Sequence, residues 1–150
     1  MLGVFLLVSI GAFILYGAFK ASISDPFAAK VDQMVKAIIH AEGSNLPGSA
    51  NIDHQLHNPG DLEQGDIGLG VYQGITRFAN DTDGINALRD QVSRILTGNS
   101  QNYPAGSTLA EVGDRYSGGD SNWATIVAGD LGVSEDTDMS AWATSQQGSE

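Results

Sequence analysis

The residue with the clearest chemical prospect is Glu42. Val31, Val35, Ile38 and Glu42 are spaced so that they share one face of a helix. The glutamate therefore continues an apolar stripe. It also falls at the end of a helix predicted from Pro26 to about Ala41 or Glu42, where the macrodipole is negative. Burial and dipole both disfavour the carboxylate, so both raise a carboxyl pKa. A glutamic acid still protonated near neutral pH is what glycosidic cleavage asks of its proton donor. The plainer alternative is a frayed helix end with the side chain turned to solvent.

Other chemistry is poorly represented. His54 and His57, with Asp53 and Asp61 nearby, sit in one loop. A zinc site wants three or four ligands at firm spacing, so these read as solvated loop histidines, and neither metal nor cofactor is expected. Cysteine is absent, which excludes disulfides and thiolate nucleophiles. No Gly-rich phosphate loop and no Ser/His/Asp order is present. Seven basic residues against 18 acidic give a formal net charge of -11. That argues against nucleic acid as a partner, since non-specific binding needs a basic surface to displace counterions.

The elements that must hold Glu42 follow from caps and periodicity. Asp25 or Ser24 caps the first helix, with Pro26 in its first turn and Gly43 ending it. Residues 44–70 lose helical periodicity and read as a long loop, in which Asn58-Pro59-Gly60-Asp61 fits a type II turn. Leu69–Tyr72 and Ile75–Phe78 flank Gln73-Gly74 as a small hairpin. Asp81-Thr82-Asp83 starts a helix to about Leu96, closed by Gly98. Thr108-x-x-Glu111 is a capping box for a third helix carrying Leu109, Val112 and Tyr116. Ser121-Asn122 caps a fourth, from Trp123 to about Leu131, and a last turn or two falls within 138–144. Trp123 and Trp142 are expected to be packing residues.

Ahead of this lies MLGVFLLVSIGAFILYGAF, residues 1–19, without a charged side chain. About 19 residues at roughly 1.5 Å each just cover a hydrocarbon core of about 30 Å. The run lacks the basic start of a secretory signal, and Ala21-Ser22 is a weak cleavage site. The expected organisation is a transmembrane anchor at 1–19, a linker at 20–24, one domain at 25–144 and a frayed tail at 145–150. The fold class is α+β, mostly helical with a small β-hairpin, preceded by one N-terminal transmembrane helix.

Several stretches carry a resemblance. Ala41-Glu42-Gly43, Asn58-Pro59-Gly60-Asp61-Leu62 and residues 78–88 (FANDTDGINAL), in that order, resemble a phage-associated branch of the lysozyme-like superfamily. That branch is similar to soluble lytic transglycosylases and goose-type lysozymes. Gly70-Val71-Tyr72-Gln73 is similar to the Gly-Leu-Met-Gln motif of lytic transglycosylases, and Arg115-Tyr116-Ser117-Gly118-Gly119 to their Tyr-Asn-Gly-Gly type motif. The resemblance spans roughly Val31 to Val133. It departs from the family at Gly43, where a serine is usual, at Tyr72, and in the longer loop from Glu42 to Gly70.

The resemblance implies a lysozyme-like domain acting on peptidoglycan glycan strands. Glu42 would protonate the oxygen between N-acetylmuramic acid and N-acetylglucosamine. Acting next as base, it would help the muramoyl 6-hydroxyl close a 1,6-anhydro ring. Tyr72, Gln73, Tyr116 and Asn58 would contact substrate. A hydrolytic muramidase would need a second carboxylate, for which Asp53, Asp61 and Asp66 are equivalent by spacing. The other alternative is a structural membrane protein whose lysozyme-like fold only binds glycan. Partners are then peptidoglycan, a lipid membrane, and other virion or envelope proteins. Lys20, Lys30 and Lys36 follow the apolar run, which favours a cytoplasmic C-terminal domain. That orientation suits the virion membrane of a membrane-containing phage. The bacterial inner membrane with the domain facing the periplasm is the alternative.

Overall fold

The computed structural model describes residues 25–43, 55–63 and 68–145. The expected anchor at 1–19, the linker, Asp53, His54, Asp66 and the end of the tail lie outside them. Among the described residues no helix is long and apolar enough to cross a membrane.

The architecture is α+β, mostly helical with one two-stranded antiparallel sheet. Helix α1 spans Pro26–Ala41, followed by strands β1 (Val71–Tyr72) and β2 (Ile75–Thr76). Helices α2 (Asp81–Thr97), α3 (Leu109–Tyr116), α4 (Ser121–Leu131) and α5 (Met139–Thr144) complete the order.

Local chemistry sets most of the boundaries. The Asp25 side chain accepts from the Phe27 amide at 3.0 Å, with proline in the first turn of α1. The capping box of α3 is complete: Thr108 Oγ1 accepts from the Glu111 amide, and the Glu111 carboxylate accepts from the Thr108 amide. Gly98 and Gly132 end α2 and α4 in the left-handed conformation. Two starts differ from expectation by one residue. Asn80, not Asp81, caps α2, and Asp120, not Ser121, caps α4. In each case the residue with extended backbone just before the helix aims its side chain back at the first-turn amides.

Among the described residues the core is one cluster drawn from the five helices named. Met34 and Ile38 of α1, Leu88 and Val92 of α2, Leu109 and Val112 of α3, Val127 of α4 and Met139 of α5 are essentially inaccessible. Helix α1 is central, packing on α2, α4 and α5. Its Lys30 is also buried, with the ammonium 4.1 Å from the centroid of the Trp142 ring.

The hairpin pairs Val71 with Thr76 and Tyr72 with Ile75. Gln73 and Gly74 both have positive φ, 54° and 94°, as a two-residue type I′ turn requires. The segment 58–63 lies along β2: the Thr76 amide donates to the Leu62 carbonyl at 2.9 Å, and Glu63 bridges to Ile75.

Candidate active site

Glu42 sits where the apolar stripe of α1 runs out. Its amide still donates to the Ile38 carbonyl at 2.9 Å, so it belongs to the last helical turn, and Gly43 turns away at φ 70°. The side chain is half-buried, neither sealed in the core nor fully in water. Trp123 Nε1 donates to Glu42 Oε1 at 2.8 Å. Trp123 stands in the first turn of α4 and is 3 % exposed, so the donor is fixed by packing.

The third member is Tyr116, in the last turn of α3. Its ring stacks on Trp123 with centroids 5.0 Å apart and planes at 29°. The stack follows from the connection between α3 and α4. Gly118 and Gly119 take φ 64° and 93°, which lets the chain reverse within a few residues. Ser117 Oγ accepts from the Asp120 amide at 3.0 Å and donates to the Gly113 carbonyl at 2.7 Å, closing that turn. The last turn of one helix and the first turn of the next are thereby laid face to face.

The Tyr116 hydroxyl donates to the Gly60 carbonyl at 2.5 Å. Burial pushes this phenol well above its ordinary value, and the nearby Glu42 carboxylate adds to the rise, followed by Tyr103 and Asp61. Tyr116 is therefore a neutral donor that ties α3 to the loop at 58–61.

That loop is braced from within by Asn58. The residue is 0 % exposed; its Nδ2 donates to the Leu62 and Thr76 carbonyls, and its Oδ1 accepts from the Leu62 amide, all at 2.9 Å. Expected at the substrate, Asn58 is instead enclosed by backbone and holds the loop to β2. Asn58–Asp61 is a turn, closed by the Asp61 amide on the Asn58 carbonyl at 3.1 Å. It is not type II, because the positive φ angles fall on His57 and Asp61, 55° and 47°, and not on Gly60. Glycine is needed at 60 for space: a Cβ there would lie 2.7 Å from Leu88 Cδ1. A Cβ on Gly84 would likewise strike the His57 carbonyl, so α2 and the loop touch backbone to backbone. His57 Nδ1 lies 2.6 Å from Asp81 Oδ1.

On the far side of Tyr116 opens a groove of about 490 Å³. Its lining includes Ala87, Asp90, Gln91 and Arg94 from α2 and Asp61, Leu62 and Glu63 from the loop. Tyr103, Arg115 and Tyr116 also line it. Burial pushes the Tyr103 hydroxyl above its ordinary value, while the Arg115 charge pulls it down and Glu63 raises it, so both charges act at that hydroxyl.

The structure brings Glu42, Tyr116 and Trp123 together. It leaves Tyr72 and Gln73 apart from them, at the exposed hairpin. Tyr72 is 53 % exposed and lines a separate hollow with Leu69, Val71 and Arg77. Trp123, expected only to pack, is also the hydrogen-bond partner of the candidate acid. A pair 81 positions apart leaves no local signal in one sequence. No protein-family model, curated protein or solved structure matches the chain.

Proposed function

We propose that the chain is a membrane-anchored peptidoglycan-cleaving enzyme with a lysozyme-like domain, a lytic transglycosylase with Glu42 as general acid and then base. The observation that carries this is the setting of Glu42. A half-buried carboxyl at a helix C-terminus is oriented by an indole N–H that is itself locked between two helices. Fixing one carboxyl oxygen fixes the plane of the group, so a proton it carries is delivered in one direction. Tyr116, neutral and stacked on Trp123, offers an aromatic surface of the kind that accepts sugar faces.

On this reading Glu42 protonates the glycosidic oxygen between N-acetylmuramic acid and N-acetylglucosamine. The C–O bond breaks and the leaving sugar departs with that proton. The muramoyl 6-hydroxyl then closes on the anomeric carbon, giving up its proton to the Glu42 carboxylate. Tyr72 and Gln73 act at the margin of the glycan path, from the hairpin. The anchor and the lysines behind it fit a virion membrane of a membrane-containing phage, which delivers the domain to the wall during penetration.

The test is incubation of the full-length protein in detergent with purified sacculi, with products analysed by mass spectrometry. Soluble muropeptides with 1,6-anhydro ends are expected, and Glu42→Gln is expected to release none. Hydrolysed reducing ends would assign a muramidase. Sacculi bound but never cut would assign a glycan-binding structural protein, and undiminished turnover by Glu42→Gln would remove Glu42 from the mechanism.

A further inference from the structure

We propose that the open edge of the hairpin is a self-association site, where β1 pairs antiparallel with β1 of a second copy of this chain across a two-fold axis at Val71.

The two edges of the sheet are in different states. Along β2 the loop at 58–63 is already in place. Thr76 turns both of its backbone groups toward that loop: its amide donates to the Leu62 carbonyl at 2.9 Å, and its carbonyl accepts from Asn58 Nδ2 at 2.9 Å. Thr76 is the register partner of Val71. In an antiparallel ladder, the two residues of such a pair both turn their N–H and C=O outward, to opposite sides. The Val71 N–H and C=O therefore face out from the free edge of β1. No backbone partner meets them among the described residues.

The side chains along that edge are of the same character. Leu69, Val71 and Tyr72 are the exposed large hydrophobics among the described residues. Edge strands are commonly blunted with charge, but residues 68–76 carry no charged side chain.

Charge and symmetry together select the occupant. The chain has a formal net charge of -11, so copies repel one another overall, and the hairpin is a stretch that adds nothing to that repulsion. One donor and one acceptor on a single residue is also the set that a two-fold axis satisfies. The Val71 N–H of each copy donates to the Val71 carbonyl of the other. Tyr72 then lies opposite Gly70 of the other copy, where its ring covers a position that has no side chain. A contact this small does not hold a permanent dimer, which takes about 1,200 Å² or more of buried surface. The association is therefore concentration-dependent. Copies anchored in one membrane, as proposed above, would meet at the raised local concentration it requires.

The test is sedimentation equilibrium of the full-length protein in density-matched detergent. The wild-type mass is expected to rise from monomer toward dimer with concentration. Val71→Lys sets like charges opposite each other on the axis and should weaken association about tenfold. A second variant guards against misfolding of the first. The chain has no cysteine, so Val71→Cys introduces a single thiol, and a hydrogen-bonded antiparallel pair holds its Cα atoms about 5.5 Å apart, within reach of a disulfide. Mild oxidation should give a disulfide-linked dimer of Val71→Cys and not of Gln101→Cys, an exposed position beyond the end of α2. A wild type that stays monomeric at every concentration overturns the pairing, as does Val71→Cys that cross-links no better than Gln101→Cys. Association undiminished in Val71→Lys places the contact elsewhere, with residues 1–19 the first candidate, and also overturns it. A monomeric wild type whose Val71→Lys variant loses retention on sacculi, or on phospholipid vesicles, gives the edge to glycan or to lipid instead. None of these readouts involves Glu42, so self-association and cleavage stand or fall separately.

Discussion

The end of α1 and the tip of the hairpin both carry residues expected to meet sugar, yet they are built on different footings. Glu42 is held by a helical turn, an indole N–H and the ring stack behind it. Each of these belongs to a different helix, and all three helices share one core. Tyr72 has a two-residue strand and a type I′ turn, with Leu69, Val71 and Tyr72 at 65 %, 49 % and 53 % exposure. A side chain that must deliver a proton needs the first kind of support. One that only offers surface to a glycan can work from the second. The loop at 58–63 connects the two, because Asn58 ties it to β2 and Gly60 receives the Tyr116 hydroxyl.

That contrast sets the sizes of the following effects. Asn58→Ala removes three hydrogen bonds, one buried and two part-buried, and strands their backbone partners, so a loss of about 3 kcal/mol in a denaturant melt is expected. A loss confined to the hairpin, with the Tyr116 contact intact, would show that the loop does not link the two regions. Trp123→Phe keeps an aromatic ring against Tyr116 but deletes the N–H at Glu42. We expect about 2 kcal/mol of destabilisation and a displaced pH–rate profile. An unmoved profile would mean that the indole packs without orienting the acid.

Tyr116 gives a smaller effect with a defined pH window. Its folded pKa lies well above the ordinary 10.0, so the neutral hydroxyl contributes stability that is fully present below 10.0. That contribution is lost as pH rises through the higher folded value. Tyrosinate absorbance should therefore lag during an alkaline titration, and the lag should shrink in Tyr116→Phe, which should also cost about 1 kcal/mol near neutrality. Smallest is Tyr72→Ser, expected to change stability by no more than about 0.5 kcal/mol while weakening retention on sacculi. Substantial unfolding in Tyr72→Ser would erase the distinction between framework and surface.

The helices were legible because their ends are decided within a few residues. Asp25-Pro26, the Thr108–Glu111 box, Gly98 and Gly132 each act locally, and the errors at Asn80 and Asp120 are single-residue ones between neighbouring polar caps. The half-buried position of Glu42 was likewise visible in the stripe from Val31 to Ile38. What supports Glu42 was not. Trp123 is brought to it by the packing of α4 on α1, and nothing near either residue announces the pair. Asn58 misled for a related reason: a polar residue in a Gly-rich loop looks available until its backbone partners at Leu62 and Thr76 are known. The positive φ angles at His57 and Asp61, in place of Gly60, are set by the backbone contact with Gly84 and the pairing to β2, and no turn rule encodes those.

The indole beside Glu42 has an optical consequence. The chain has two tryptophans, and one of them, Trp142, lies under the Lys30 ammonium at the opposite pole of α1. Trp123 alone touches the carboxyl whose protonation matters, and an indole's emission responds to whether a hydrogen-bonded carboxyl is charged. With Trp142 replaced by phenylalanine, the protein becomes its own indicator: a fluorescence titration of a single residue would read the proton on Glu42 directly, in the resting molecule and without substrate.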